Sequence, residues 1–478
     1  MSYLEIKNNL LNIKKEINNS IESEKLKNFF NYIEKKYSVE QNIIKQYFKK
    51  RYALSLGNLK PSEYNINISK YQNKKLLLSL IYFLGFKTLV FIKSIKVKKK
   101  IETKIIIDDL KSERELDRMI SLFSDTKQKD KVFILRKKFK NYENKNVNII
   151  VQEDFIGYSR EIIKKNITLF DFIEIFYLIK YSFKSKLNLF NLYNKFLNDF
   201  LYFSSLYSKV EGRIIFQERI LGRTNILKNY LFKRKYKGRN GYLQTHLIPY
   251  DTQALFFDCD IFFSMGCNSF SSIKDLDAKI NEVVPIGSNN LNYYLLDNSN
   301  FSKEEETFRS VGESIDILFI GSNVTNNTRN NWEGYYETIR WLKKLSNDND
   351  LSIFIKHHNT WIKDKNEINI SSNSNINYLP QHLNTYYFAL KADLLITYCS
   401  TLGIEIIPLN KTVYFTNPHN NNNFLNKELE DDKIVINTFE ELEKKICKRQ
   451  SMPSSNFDNY GINYKKTKFL LFEKLNKI

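Results

Sequence analysis

The chain has 478 residues, long enough for two or three domains with full cores. Lys and Arg number 74 against 53 Asp and Glu, and the surplus is uneven: residues 1–250 carry 50 basic and 24 acidic side chains, residues 251–478 carry 24 and 29. The basic half is therefore expected to meet something anionic, and the four cysteines, with no C-x-x-C pair and no metal-ligand spacing to the five histidines, argue against a disulfide framework or a structural metal.

Residues 1–100 read as a helical N-terminal region. Met1 to Glu24 is polar and carries both charges, so no signal peptide is expected, and with the cysteines this points to a reduced, cytoplasmic protein. Leu10, Ile13, Ile17 and Ile21 recur at helical spacing. Leu76 to Ile92 is the most apolar window. It is interrupted by Lys87 and slightly short for a bilayer span, so a buried helix and strand is expected. The alternative is a helix lying on an anionic membrane surface, because the lysine-rich run Lys93 to Lys100 follows directly.

Residues 101–288 change to an α/β pattern. KIIIDDL, a helical Glu113 to Phe123, KVFILRK and NVNIIVQ give strand, helix, strand, strand. Asp108 and Asp109 end the first of these strands, where such sheets place their sites, although a turn or a helix cap is the commoner use of such a pair. Ile162 to Leu206 carries Phe, Tyr and Leu at helical spacing, the pattern of a packed helical pair. The basic stretch Leu227 to Asn240, with Tyr230, Phe232 and Tyr236 interleaved, fits a grip on a phosphate backbone, a contact to a lipid-linked, phosphate-bearing acceptor, or a solvated loop. Asp258-Cys259-Asp260 matches the D-x-D pattern of metal-dependent glycosyl transfer but is flanked by Phe-Phe on both sides, which reads as a buried strand edge.

Residues 289–310, rich in Asn and Ser, read as an interdomain linker, and 311–450 as a second α/β domain. Its first strand, Ile315 to Ile320, runs into Gly321-Ser322-Asn323, a small-residue turn that lets a ligand approach the backbone. Gly321, Ser322, Asn323 and Thr325 are candidates for it. The strand Leu351 to His358 ends in Lys356-His357-His358, and His358 shares a face with Lys356 under period-two alternation. NYLPQH (Asn377 to His382) is a further strand and turn. Leu394 to Thr397 is a short apolar strand followed by Tyr398-Cys399-Ser400-Thr401 and a helical pattern through Gly403 and Glu405. Ser400 or Thr401 can cap that helix, whose free N–H groups suit a phosphate, and Glu405 is placed for hydroxyls such as those of a ribose. Residues 451–478 read as a closing helix.

TYCSTLGIE resembles the T-x-G-S-T-x-G-x-E motif of bacterial capsule and surface-polysaccharide glycosyltransferases, a GT-B group that includes CDP-glycerol glycerophosphotransferases and Kdo transferases. Cys399 stands where the group has glycine. The likeness covers roughly Ile315 to Phe439. It implies an α/β GT-B fold, two Rossmann-like domains facing a central cleft with extra N-terminal helices, and a terminal segment that crosses back to the first domain.

The resemblance further implies metal-independent transfer of a sugar or polyol phosphate from a nucleotide-activated donor (CMP-, CDP-, UDP- or GDP-linked) to a polysaccharide or lipid-linked acceptor, with no other cofactor. Lys356 and His358 resemble the group's K-x-H-P, with Asn359 in place of the proline, and would steady the leaving phosphate. Leu379, Pro380 and His382 would lie against the base, and Ser400, Thr401, Gly403 and Glu405 would hold phosphate and ribose. The turn holding His246 resembles a Q-H-G element, with Leu247 in place of its glycine, and Val283 to Ser288 resembles the P-x-G-S that closes the first domain. The base that deprotonates the acceptor would come from the first domain, among His246, Asp108, Asp109 and Glu153. Two other classes remain open on sequence: a nucleic-acid-binding protein using the basic half, and a non-catalytic GT-B-like scaffold.

Overall fold

The computed structural model describes residues 3–56, 76–92, 94–95, 100–139, 142–152, 158–168, 171–218, 225–267, 269–297, 300–312, 314–321, 332–349, 351–357, 365–372, 374–420, 429, 433–448 and 464–477. It opens with α1 (Tyr3–Ile21), α2 (Lys27–Tyr37) and α3 (Gln41–Ser55). Leu10, Ile13, Ile17 and Ile21 are all buried, as their spacing along one helical stripe requires. α4 (Leu76–Ile92) is a single helix of 17 residues. The expected buried helix and strand is corrected here: Leu77, Ile81, Tyr82, Leu89 and Ile92 are exposed. A helix apolar on every side has only one face to bury, and that face, through Phe83 and Val90, packs inward.

The first sheet contains β1 (Ile105–Leu110), followed by α5 (Glu113–Leu122), then β2 (Lys131–Leu135) and β3 (Ile149–Val151). Two long helices intervene, α6 (Phe172–Ser185) and α7 (Leu189–Lys209), and pack with α1 to α4 as a helical layer. The sheet resumes with β4 (Ile214–Gln217), α8 (Asn225–Tyr236), β5 (Arg239–Leu243), β6 (Asp258–Ser264) and β7 (Lys279–Pro285). The order is β7-β6-β5-β4-β1-β2-β3 and every pairing is parallel. β1 is the sequence Ile-Ile-Ile-Asp-Asp-Leu and is buried throughout, because helices cover both faces of a parallel sheet.

Residues 289–310, expected as a polar linker, are largely helical. Ser288 caps the turn Asn289–Asn292, whose four residues are buried, and α9 (Ser302–Ser310) follows. The polar side chains there serve as caps and interlobe partners, which is why composition alone reads as loop. The second sheet contains β8 (Ile317–Ile320), α10 (Trp332–Asp348), β9 (Ile353–Lys356), β10 (Ile376–Leu379), α11 (Thr385–Lys391), β11 (Leu394–Thr397), α12 (Thr401–Ile406), β12 (Thr412–Thr416), β13 (Val435–Ile436) and α13 (Phe439–Cys447). Its order is β10-β9-β8-β11-β12-β13, again all parallel.

Numbered within its own lobe, each sheet runs 3-2-1-4-5-6, the first adding a seventh strand. That is the doubly wound Rossmann order, whose ligand crevice lies beyond the strand carboxyl ends between the first and fourth strands. Segments leaving the carboxyl ends of β5 and β7 meet those leaving β10 and β11, so the two lobes face each other in the GT-B arrangement. The last described helix, α14 (Thr467–Leu475), lies on the first lobe, where Leu471 and Leu475 join the core of the first sheet and Phe472 meets Phe123 edge-on at 5.9 Å.

Candidate functional site

The second lobe's crevice is built around Thr397, the last residue of β11. Its hydroxyl donates to the Ile320 carbonyl at 3.1 Å and accepts from the Ser400 N–H at 3.0 Å, stitching β8, β11 and the following turn together. Ser400 then caps α12, its Oγ accepting from the Leu402 N–H at 3.4 Å. Gly403 is required by packing, since a Cβ there would stand 2.8 Å from the Phe415 ring and 2.9 Å from the Thr397 methyl. Gly321, at the end of β8, has the same reason: a Cβ would lie 2.5 Å from Nδ1 of His357.

The turn after β11 touches the other lobe directly. The Leu247 N–H donates to the Thr401 hydroxyl at 2.9 Å, joining residues 154 positions apart. One turn further along α12, the Glu405 carboxylate accepts from Asn290 Nδ2 at 3.0 Å, Ser288 Oγ at 2.9 Å and Tyr386 OH at 2.7 Å. Only 2% of Glu405 is exposed. Burial pushes its pKa up, while these three donors and the Arg118 guanidinium pull the other way.

The network continues into the first lobe. Asn290 accepts from Arg118 Nη1 at 2.9 Å and donates to the Thr245 carbonyl at 3.2 Å, and Arg118 also pairs with Glu218 beyond β4. Tyr386 stacks on Tyr294 with ring centres 5.2 Å apart, and the Arg114 guanidinium lies 5.0 Å over the Tyr294 ring. The junction thus combines two arginines of α5, two stacked tyrosines and a buried carboxylate between the carboxyl ends of both sheets. Such a setting offers cations for phosphate, an aromatic face and an acceptor for hydroxyls.

His246 is exposed on the turn whose neighbours are both engaged at this junction, with Nδ1 3.3 Å from Thr245 Oγ1. Lys356 is buried and turned to main chain, bonding the Gln381 carbonyl at 2.9 Å and the His357 carbonyl at 3.3 Å. Burial pushes its pKa down to about 8, and Glu304 opposes the shift. It therefore positions the 380–382 loop, where Pro380 and His382 are exposed and Leu379 is buried in the second lobe's core. His357 is buried with Nε2 2.7 Å from Glu367 and its ring stacked on Tyr378.

Asp108 and Asp109 are both taken by cations. Asp108 is buried 2.7 Å from Lys228, and Asp109, at φ +72°, is held by both Nε and Nη2 of Arg136. These ion pairs hold β1, α8 and the end of β2 together. Asp258 and Asp260 stand at the amino end of β6, away from the cleft. Asp260 accepts from the Asn240 backbone and side chain, from Asn281 and from Lys233. The basic stretch 227–240 is mostly the helix α8 rather than a loop, with Arg234, Lys235, Lys237 and Arg239 exposed. Lys228 is buried against Asp108, while the partly exposed Lys233 reaches Asp260 and the exposed Lys235 reaches the Tyr207 carbonyl. Glu153, Ser322, Asn323, Thr325 and His358 lie outside the described residues.

Sequence reading missed Arg114, Arg118, Ser288, Asn290, Tyr294 and Tyr386 as members of the junction. One signal was available: Arg114 and Arg118 are four apart on the helix after the first strand and so share its face. Asn290 and Tyr294 sit in a stretch whose composition reads as linker, and Tyr386 lies in a separate helix of the second lobe.

No family model matches the chain, and no curated protein matches it in sequence. Solved structures with a similar chain path include Staphylococcus aureus MnaA in a structure with UDP, with a TM-score of 0.47 and 13% identity over 80% of this chain and 98% of that one. Neisseria meningitidis UDP-GlcNAc 2-epimerase bound to UDP-GlcNAc gives 0.44 and 12% over 79% and 100%. The trehalose-6-phosphate synthase OtsA gives 0.46 and 11% over 79% and 99%. At these identities no residue role transfers.

Proposed function

We propose that the chain is a GT-B glycosyltransferase that moves a sugar or polyol phosphate from a nucleotide-activated donor, held by the second lobe, to a polysaccharide or lipid-linked acceptor held by the first. The observation that supports this is the meeting of two Rossmann crevices at Leu247–Thr401 and at Glu405, with His246 on the exposed turn between. In the lobe contact as it stands, Ser288 and Tyr386 give Glu405 the hydroxyls that a ribose would supply. Donor entry would then exchange protein hydroxyls for ligand hydroxyls.

In this reading His246 takes the proton of the acceptor hydroxyl as it attacks, and the departing nucleotide keeps the bonding pair on its phosphate. Arg114 and the turn after Thr397 offset the charge that builds there, with Ser322, Asn323, Thr325 and His358 as further donors named by sequence. Lys356 acts through the 380–382 loop. Titration calorimetry with CMP, CDP, UDP and GDP tests the proposal. One nucleotide is expected to bind, with Ser400→Ala and Glu405→Ala each weakening it about tenfold, the value of one or two lost hydrogen bonds. Failure of all four nucleotides, or unchanged binding in both variants, would overturn it.

A further inference from the structure

We propose that the outward faces of α4 and α6 form a docking surface for an anionic lipid bilayer, on which the chain lies without crossing. Of the seventeen large apolar side chains exposed among the described residues, twelve belong to these two helices. Leu77, Ile81 and Ile92 on α4 and Phe172, Phe176 and Phe183 on α6 are each more than half exposed. Both helices pack their opposite faces on α7, through Phe83 against Phe190 and through the buried Leu178 and Tyr181.

The charges are arranged inside out. α4 contains one charged residue, Lys87, and it points into the protein, 1% exposed, to the Thr168 carbonyl and the equally buried Glu174 of α6. Glu174 also accepts from Lys36 at 2.8 Å, so the carboxylate is fully compensated within the core. A soluble amphipathic helix would place its one charge in water and its leucines inside. Reversal of that order on the face of a protein is the pattern of a surface whose other side is hydrocarbon, and a cluster of this size on a monomer marks an interaction site.

Charge complementarity selects the occupant. Lys180, Lys184 and Lys186 are exposed on and just after α6, and the sequence after α4 continues into the lysine-rich stretch 93–100. Exposed lysines beside an apolar centre suit anionic headgroups around acyl chains. A cavity of about 570 Å³, lined by Ile81, Tyr82, Gly85, Phe86 and Leu89 with Phe190 of α7, opens on the same side of α4. With 17 residues the helix is about 25 Å long, short of the roughly 30 Å hydrocarbon core, and none of the described helices is long and apolar enough to cross a membrane. The surface stands independently of the nucleotide reading.

Flotation of the full chain with vesicles tests this. Phosphatidylglycerol-containing vesicles are expected to carry it upward and pure phosphatidylcholine vesicles to carry markedly less. Part of the binding should survive about 0.5 M salt, where charge attraction is screened within a few ångström. The variants Ile81→Glu/Leu89→Glu and Phe176→Glu/Phe183→Glu should each reduce the bound fraction about tenfold, since each removes two large apolar groups from insertion, while circular dichroism stays unchanged because the replaced groups are already in water. Retention by both variants, or no flotation of the parent chain, overturns the proposal. So does a parent that ignores vesicles but runs as a dimer that the variants dissociate, which would assign the face to a second copy.

Discussion

The Ser288 hydroxyl donates to the Glu405 carboxylate at 2.9 Å across 117 positions of sequence, tying the end of the first sheet to the helix that follows β11. Asn290 and Tyr386 complete the set of donors, so the carboxylate belongs to both lobes at once. Replacing Glu405 by Ala leaves these buried donors short of an acceptor. The expected cost is about 2–4 kcal/mol, on the scale of one to three kcal/mol per unsatisfied buried group, read from denaturant unfolding.

The same carboxyl sets a pH dependence. Burial raises its pKa, so the folded chain holds this proton where the unfolded chain has already released it. Stability is greatest below the ordinary glutamate range and falls as pH rises from there to the raised folded value. Glu405→Gln should flatten that part of the stability profile measured over a pH series. An unchanged profile would mean that the group is ionised throughout.

Lys356 gives a slope of the opposite sign. With its pKa pushed down to about 8, folding releases a proton between that value and the ordinary lysine range, and stability should rise with pH across the window. Lys356→Met should remove the rise, which unfolding measured above neutral pH will reveal.

Gly403→Ala places a methyl group 2.8 Å from Phe415 and 2.9 Å from Thr397. Both neighbours are core positions of the second sheet, so the strand and helix must separate, at about 1–3 kcal/mol. A lowered melting temperature is expected, together with weaker nucleotide binding if the turn after β11 holds the donor.

Glu174→Ala and Lys87→Met remove opposite ends of one buried pair, yet their costs should differ. Loss of Glu174 leaves the buried Lys87 without its carboxylate, while Lys36 keeps Asp171 at 2.7 Å, and should destabilise by about 3–5 kcal/mol. Loss of Lys87 leaves Glu174 still paired with Lys36 and bonded by Tyr193, and should cost clearly less. Chemical denaturation of the two variants side by side checks the order.

Much of the second lobe could be read from sequence because its signals are local. Leu394–Thr397 is the strand the apolar run indicates, to the residue. The buried stripe of α1 follows from spacing in the same way. What sequence does not carry is which partner a charge finds. Lys228 and Lys233 sit in a run that looks solvated, and only the fold brings Asp108 and Asp260 to them. Asn290 reads as linker because nothing within ten residues needs it; its partners come from α5, the turn after β5 and α12. For α4, an apolar run interrupted only by Lys87 leaves open both how much of it is helix and which side meets water.

The return of α14 to the first lobe means that the polypeptide passes between lobes twice, once after Ser288 and again between α13 and α14. The two crossings tie the lobes to each other covalently at widely separated points of the chain. A protease nick in either tether should leave both fragments co-eluting on a sizing column, whereas removal of residues beyond α13 would strip the first sheet of Leu471 and Leu475 and loosen a lobe whose own strands end almost two hundred positions earlier.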